Sequence, residues 1–99
     1  MKDLAIKARE LLAAGWVKGH SFLVVGGRPC FCLLGAFNEA ARIADLNRET
    51  GFNEYMDKIY ALSHEHHNGG LACWNDAPER SHEDVLAFME YVIREIDND

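Results

Sequence analysis

The C-terminal third of the chain carries its clearest helical pattern. Apolar residues recur at intervals of three and four, at Val85, Phe88, Met89, Val92, Ile93 and Ile96. This spacing places them on one face of a helix. Ser81 precedes the pattern as a suitable N-cap, and Glu83 and Asp84 fall in the first turn, where the helix dipole favours negative charge. The sequence therefore predicts a last helix that begins after Ser81.

A second amphipathic segment lies near the middle of the chain, at about residues 32–46. Its apolar residues with helical spacing are Leu33, Phe37, Ala40 and Ala44, with Ala36 and Ile43 alongside, and Gly35 and Ala41 are further small residues. Small side chains let other elements approach closely, so we predict a central helix with neighbours on more than one side. Two further helices are expected, one from Asp3 to about Ala14 and one capped by Thr50 or Asn53.

Two extended runs flank Gly26 and Gly27 and predict a β-hairpin over about residues 21–31, because two-residue loops favour glycine where φ is positive. Pro29 lacks an N–H, so we expect the second strand to be short or to lie at an edge. A lone hairpin is marginal in water and has to pack on helices. The LACW run at residues 71–74 fits either a short extended segment or a plug into the core.

Together these patterns predict an α+β fold, mainly α, with about four helices packed around the central helix and one short hairpin. Ninety-nine residues fit one compact domain, residues 1–99. No apolar run approaches the roughly 20 residues that cross a bilayer. The N-terminal segment carries charges throughout, unlike a signal peptide, and the three cysteines form no C-x-x-C pair. We therefore expect a cytoplasmic protein with no membrane partner.

The net charge of −6 is distributed unevenly. Residues 1–50 hold seven Lys and Arg against five Asp and Glu, whereas residues 51–99 hold three against eleven. Binding to a nucleic-acid backbone requires clustered basic residues, so we expect no nucleic-acid partner. The acidic half fits a basic protein surface as partner, or simply a solvated face that keeps a small protein soluble.

Three short motifs resemble a family of small proteins of unknown function carried by bacteria and their phages. They are Gly15-Trp16 after the first helix, the C-x-L-G-A pattern at residues 32–36 and the W-N-D-A-P-x-R-[ST] pattern at residues 74–81. The similarity extends from about Leu4 to Ile93. It implies one compact domain and an origin in a phage or mobile element, and it transfers no catalytic residue.

Cysteine-dependent catalysis is one alternative that the residues leave open. Cys32 stands just before the central helix, and a cysteine at a helix N-terminus can have a lowered pKa and act as a nucleophile. A histidine such as His67 would supply the base, and Asn75 or Asp76 would orient it. No hydrolase signature surrounds Cys32, and a free cysteine is more often a small buried apolar residue.

A structural zinc site is the second alternative. The candidate ligands are Cys30, Cys32, Cys73, His64 and His67. Neither a C-x-x-C knuckle nor an H-E-x-x-H motif is present, so the competing interpretation is cysteines in a core and histidines at a helix end. The cluster from His64 to His67 is also a candidate pH sensor. We expect no cofactor.

Our leading hypothesis is a small non-enzymatic protein-binding module that docks its acidic C-terminal half on a basic partner. Trp74, Asp76 and Glu79 are candidate contacts, since tryptophan is common in binding hot spots. The competing interpretation places Trp74 in the core and gives Asn75 and Asp76 roles in turns and caps, with Glu79 completing a capping box. The wide apolar stripe of the last helix also allows a homodimer.

Overall fold

The computed structural model of the protein describes residues 2–45, 51–64 and 70–96. The elements are α1 (Lys2–Ala14), β1 (Phe22–Val25), β2 (Arg28–Phe31), α2 (Leu33–Ile43), α3 (Phe52–His64), α4 (Leu71–Asp76) and α5 (His82–Ile96). The predicted α+β fold, mainly α with one hairpin, is confirmed. The described residues form five helices rather than about four, because the LACW run begins a helix of its own.

The core forms where α1 packs against both α2 and α5, while α2 also contacts α4 and β2. Ala5, Ala8 and Ala36 have no exposed surface, and these small side chains allow the helix axes to approach closely. Phe37 fills the space that they leave and is itself fully buried. The predicted central helix therefore does have neighbours on more than one side, and it shares the central position with α1.

Helix boundaries differ from the prediction at several ends. The first helix begins at Lys2, so Asp3 lies in its first turn rather than at the cap. The central helix ends at Ile43, because Asp45 adopts a φ of 57° that breaks the helix. Asn53 lies inside α3 and is not its cap, and Thr50 falls outside the described residues.

The hairpin has the predicted position. Gly26 and Gly27 have φ values of 58° and 76°, as the two central residues of a type I′ turn require. The outer side of β2 is covered by the segment after α1: Phe31 donates its N–H to the Gly15 carbonyl and accepts from the Val17 N–H. The edge strand is therefore β1, whereas Pro29 had suggested β2.

The prediction of an extended LACW segment is wrong. Residues 71–76 form the short helix α4, with Leu71, Trp74 and Asn75 on its buried side. Four apolar residues in a row show no period, so a buried helical turn and a buried strand look the same in sequence. The alternative of a core plug describes Leu71 and Trp74 correctly. None of the described helices is both long and apolar enough to cross a membrane.

Candidate functional site

Asn75 is the centre of a buried polar junction that joins three distant parts of the chain. Its Oδ1 accepts from the Trp16 indole N–H at 2.6 Å and from the Leu33 backbone N–H at 3.0 Å. Its Nδ2 donates to the Val17 carbonyl and to Asp76 Oδ1, each at 3.0 Å. An amide side chain has two acceptor and two donor positions, and all four are used here. Asn75 is fully buried, so water does not compete for them.

The loop after α1 is tied to the same region by charged groups. The backbone N–H of Gly19 donates to Asp76 Oδ1 at 2.9 Å. Lys18 donates its Nζ to the Ala77 carbonyl at 2.8 Å, at the C-terminal end of α4, where the helix dipole favours a positive charge. Asp76 therefore holds a loop and does not form the capping box with Glu79 that the sequence suggested.

Two aromatic contacts cover the junction. The His82 ring stacks on Trp16, with centroids 5.6 Å apart, and His82 Nε2 lies 2.6 Å from the Leu12 carbonyl oxygen. A carbonyl only accepts, so Nε2 carries the proton. Arg80 lies over the Trp74 ring at 3.9 Å and donates its Nε to the Trp74 carbonyl. Trp74 is only 3% exposed, so its ring belongs to the core.

Ser81 begins α5 as the sequence predicts. Its hydroxyl accepts from the Asp84 N–H at 3.1 Å, and its own N–H donates to Asp84 Oδ2 at 2.9 Å. This reciprocal pair is a capping box. The Ser81 backbone N–H, and to a lesser extent its hydroxyl, lower the pKa of the Asp84 carboxyl.

The C-x-L-G-A residues form the entry to α2. The Cys32 thiol accepts from the Gly35 N–H at 3.3 Å and acts as the N-cap. A Cβ on Gly35 would collide with the Ser21 carbonyl oxygen, so only glycine lets the strand pass this close. Leu34, the leucine of the motif, is partly buried against the core, and Ala36 is fully buried. Each fixed residue of this motif thus has a structural role.

Strand β1 presents a different surface. All four of its residues are exposed and apolar: Phe22 by 52%, Leu23 by 38%, Val24 by 57% and Val25 by 52%. Together they expose on the order of 300 Å² of apolar surface, which is the size of a patch that is often functional on a monomer. The residues of β2 that pair with them differ in burial. Cys30 and Phe31, at the base of the hairpin, are buried, whereas Arg28 and Pro29, beside the turn, are exposed. The base of the hairpin packs on the core and its tip projects.

The backbone of β1 is open along its outer edge. Residues of an antiparallel pair alternate between those that bond each other and those that bond outward. Phe31 bonds outward to the Gly15–Val17 segment, so its partner Phe22 also directs its N–H and C=O outward, and the alternation makes Val24 do the same. Within the described ranges no segment pairs with this edge.

A groove adjoins the open edge. It lies between the start of β1 and helix α2, has a volume of about 360 Å³, and is lined by Ser21, Phe22, Phe31, Gly35, Asn38, Glu39 and Arg42. Arg42 pairs with Glu39 across one turn of α2 and lowers the pKa of that carboxyl. The groove therefore has an apolar floor beside the hairpin and a polar rim on the helix.

Comparison with known proteins identifies the family of the chain. The model of the Family of unknown function (DUF6197) matches residues 1–95. The chain belongs to DUF6197. A search of curated proteins and a search of solved structures gave no match. Membership agrees with the resemblance inferred from the motifs, and it brings no activity with it.

Within the described residues of this DUF6197 chain, Cys32 and Asn75 are not joined to a histidine in a catalytic triad. The Cys32 thiol is 4% exposed and engaged with the first turn of α2. Asn75 has no free position with which to orient a histidine, because its four positions are filled. His82 is bonded to the Leu12 carbonyl, and His67 lies outside the described residues.

Only part of the predicted metal-ligand set lies in the described part of the DUF6197 chain. Cys30 and Cys32 are buried, Cys73 is exposed on α4, and none of the three forms a disulfide. His67 and the side chain of His64 lie outside the described part of the chain. Among described residues, no three His, Cys, Asp or Glu side chains are grouped closely enough to hold a metal ion.

The open edge of β1 was missed by sequence reasoning. Because a lone hairpin is marginal in water, the hairpin was expected to pack on helices, and the only strand expected at an edge was the one that contains Pro29. A signal was nevertheless present, because the extended run is only four residues long before Gly26, and a short hairpin cannot cover both of its own faces.

Proposed function

We propose that the protein is a small non-enzymatic protein-binding module that accepts an extended segment of a partner along the open edge of β1. The observation that supports this most directly is the coincidence of exposed apolar side chains and outward backbone groups on one strand. Folded proteins usually protect such an edge with lysine, proline, a bulge or a covering segment. Strand β1 has none of the first three, and nothing covers it within the described ranges.

The binding mode that follows is β-strand addition. The N–H and C=O groups of Phe22 and Val24 would bond the backbone of the incoming segment, which supplies affinity with little regard to sequence. The groove beside Phe22 would take one of its side chains and supply selectivity. Asn75, Trp16 and Cys32 would serve to hold the fold that presents this edge.

The acidic C-terminal half of the chain indicates the charge of the partner's surface. Exposed acidic residues lie on α3 and α5, namely Glu54, Asp57, Glu83, Asp84, Glu90 and Glu95. Residues 11–38, which include the hairpin, contain no Asp or Glu. We propose a host or phage protein with a basic surface, which long-range attraction to the acidic half would bring to the hairpin in the cytoplasm.

Capture experiments with matched variants test the proposal. The wild type, Val24→Lys and Ile6→Lys are used as baits in a bacterial lysate at low and moderate salt. Both variants exchange an exposed β-branched side chain for lysine, but Ile6 belongs to α1 and not to the hairpin. A partner retained by wild type and Ile6→Lys and lost with Val24→Lys is the expected result. No partner, or one retained equally by Val24→Lys, would overturn it.

A further inference from the structure

We infer that the occupant of the β1 edge in the protein alone is β1 of a second copy, which forms a continuous four-stranded sheet about a two-fold axis at Leu23. This inference rests on the proposed role of β1 as a docking edge. It also gives the protein a means of protecting that edge when no other partner is bound, since a paired edge no longer templates aggregation.

Backbone geometry restricts the pairing. A two-fold axis perpendicular to the strands makes them antiparallel, and residues that bond outward must face residues that bond outward. Phe22 and Val24 are the outward residues within β1. They satisfy each other when Phe22 faces Val24 of the second copy and Leu23 faces Leu23. Other registers would pair Phe22 or Val24 with itself and leave the remaining outward residue opposite a position beyond the strand.

The side chains are complementary in this register. Each large Phe22 ring lies beside a smaller Val24 of the other copy, next to the groove formed with α2. A two-fold interface places the same patch of both copies face to face, so a charged residue near the axis would be repelled by the same residue of the second copy. An uncharged patch is therefore favoured. The strand itself has no charged residue, and the 28 residues from 11 to 38 contain none of the 16 acidic residues of the chain.

The surface areas predict a weak dimer. Two copies of a patch of this size hold about 600 Å² of apolar surface, and even with their backbone edges they bury less than roughly 1,000 Å² in total, below the standard interface of about 1,600 Å². The stripe of α5 is not available to enlarge it, because Phe88, Met89 and Val92 are buried in the core. Dimer formation should therefore depend on concentration, and a partner segment competes with the second copy for the same edge.

Disulfide trapping tests the register. The background carries Cys73→Ser, because Cys73 is exposed, and Cys30→Ala, because Cys30 faces residue 23 within the hairpin. Three variants add Phe22→Cys, Leu23→Cys or Val24→Cys. In the inferred register only the two residues 23 face each other as a non-bonded pair, with Cα atoms about 4.5 Å apart. The two residues 24 are diagonal neighbours at about 7–8 Å, beyond the range for a disulfide.

We expect Leu23→Cys to give roughly tenfold more disulfide dimer than either neighbour, since only its Cα pair lies in disulfide range. Stronger trapping at 22 or 24 would overturn the register. Sedimentation of the uncrosslinked protein gives the second readout: wild type and Ile6→Lys should dimerise with rising concentration and Val24→Lys should remain monomeric. A wild type that stays monomeric at every concentration would refute the second copy as occupant. The capture experiment would be unaffected and would still decide the proposed function.

Discussion

Replacement of Asn75 tests whether the buried polar junction stabilises the fold. Asn75→Ala removes four hydrogen bonds of 2.6–3.0 Å and leaves the buried Leu33 N–H and the half-buried Trp16 N–H without acceptors. An unsatisfied buried group costs about 1–3 kcal/mol, and the freed Val17 carbonyl adds to this. We therefore expect a loss of about 3–5 kcal/mol, a large part of the 5–15 kcal/mol typical of a domain.

Urea unfolding followed by circular dichroism measures this loss. With a slope of about 1–3 kcal/mol per molar urea, a loss of 3 kcal/mol lowers the midpoint by at least about 1 M. Asn38→Ala, at an exposed asparagine on α2, is the matched control and should leave the midpoint nearly unchanged. A loss below about 1 kcal/mol for Asn75→Ala would refute the role of the junction, because one net hydrogen bond alone is worth that much.

Asn75→Asp sharpens the same test. It keeps Oδ1 but replaces the donor that faces the Val17 carbonyl and Asp76 Oδ1 with a second carboxylate oxygen. Burial and the neighbouring carboxylate should raise the folded-state pKa of the new acid above its unfolded value. The folded state then binds the proton more tightly, so stability is regained as pH falls and lost as pH rises through the folded pKa. Asn75→Ala should show no such dependence relative to wild type.

Two further predictions concern buried positions. Gly35→Ala should destabilise the protein by about 2–3 kcal/mol in the same urea assay, because overpacking forces α2 away from the Ser21 carbonyl; an unchanged midpoint would show that the strand can move aside. Burial raises the pKa of Tyr55 from 10.0 to about 12, and the Ala5 backbone opposes the rise. Stability should fall between these two pH values as the unfolded chain ionises first, and Tyr55→Phe should remove that part of the decrease; a decrease of equal size in the variant would contradict the assignment.

The elements with regular spacing could be predicted from sequence. Helix α5 and its Ser81 cap follow from local pattern, and Gly26-Gly27 alone specifies the hairpin turn. Helix α4 could not be recognised, because the four apolar residues of LACW show no helical spacing. The spacing of three and four appears only when the polar Asn75 is included with Leu71 and Trp74 on the buried side. Local pattern also gave Asn75 and Asp76 turn roles, because it cannot show partners that are 59, 58 and 42 positions away in the chain.

The exposure of β1 could not be predicted from local sequence either. A run such as FLVV indicates a strand, but its burial depends on what the rest of the chain can cover. Here the segment Gly15–Val17 covers β2, and β1 is left at the edge. The apolar stripe of α5, which resembled an interface in sequence, is largely used by the core instead. Exposure is a property of the whole arrangement and not of either segment.

The Asn75 junction also sets an order of events during synthesis. Residues 1–43 contain α1, the hairpin and α2, which are adjacent in the chain and contact each other directly. The amide that receives the N–H groups of Trp16 and Leu33 belongs to residue 75, so these donors have no protein acceptor at that site until α4 leaves the ribosome. The N-terminal elements can therefore collapse early, but the hydrogen bonds that fix their packing form only near the end of translation. A chain truncated before residue 75 should remain loosely packed.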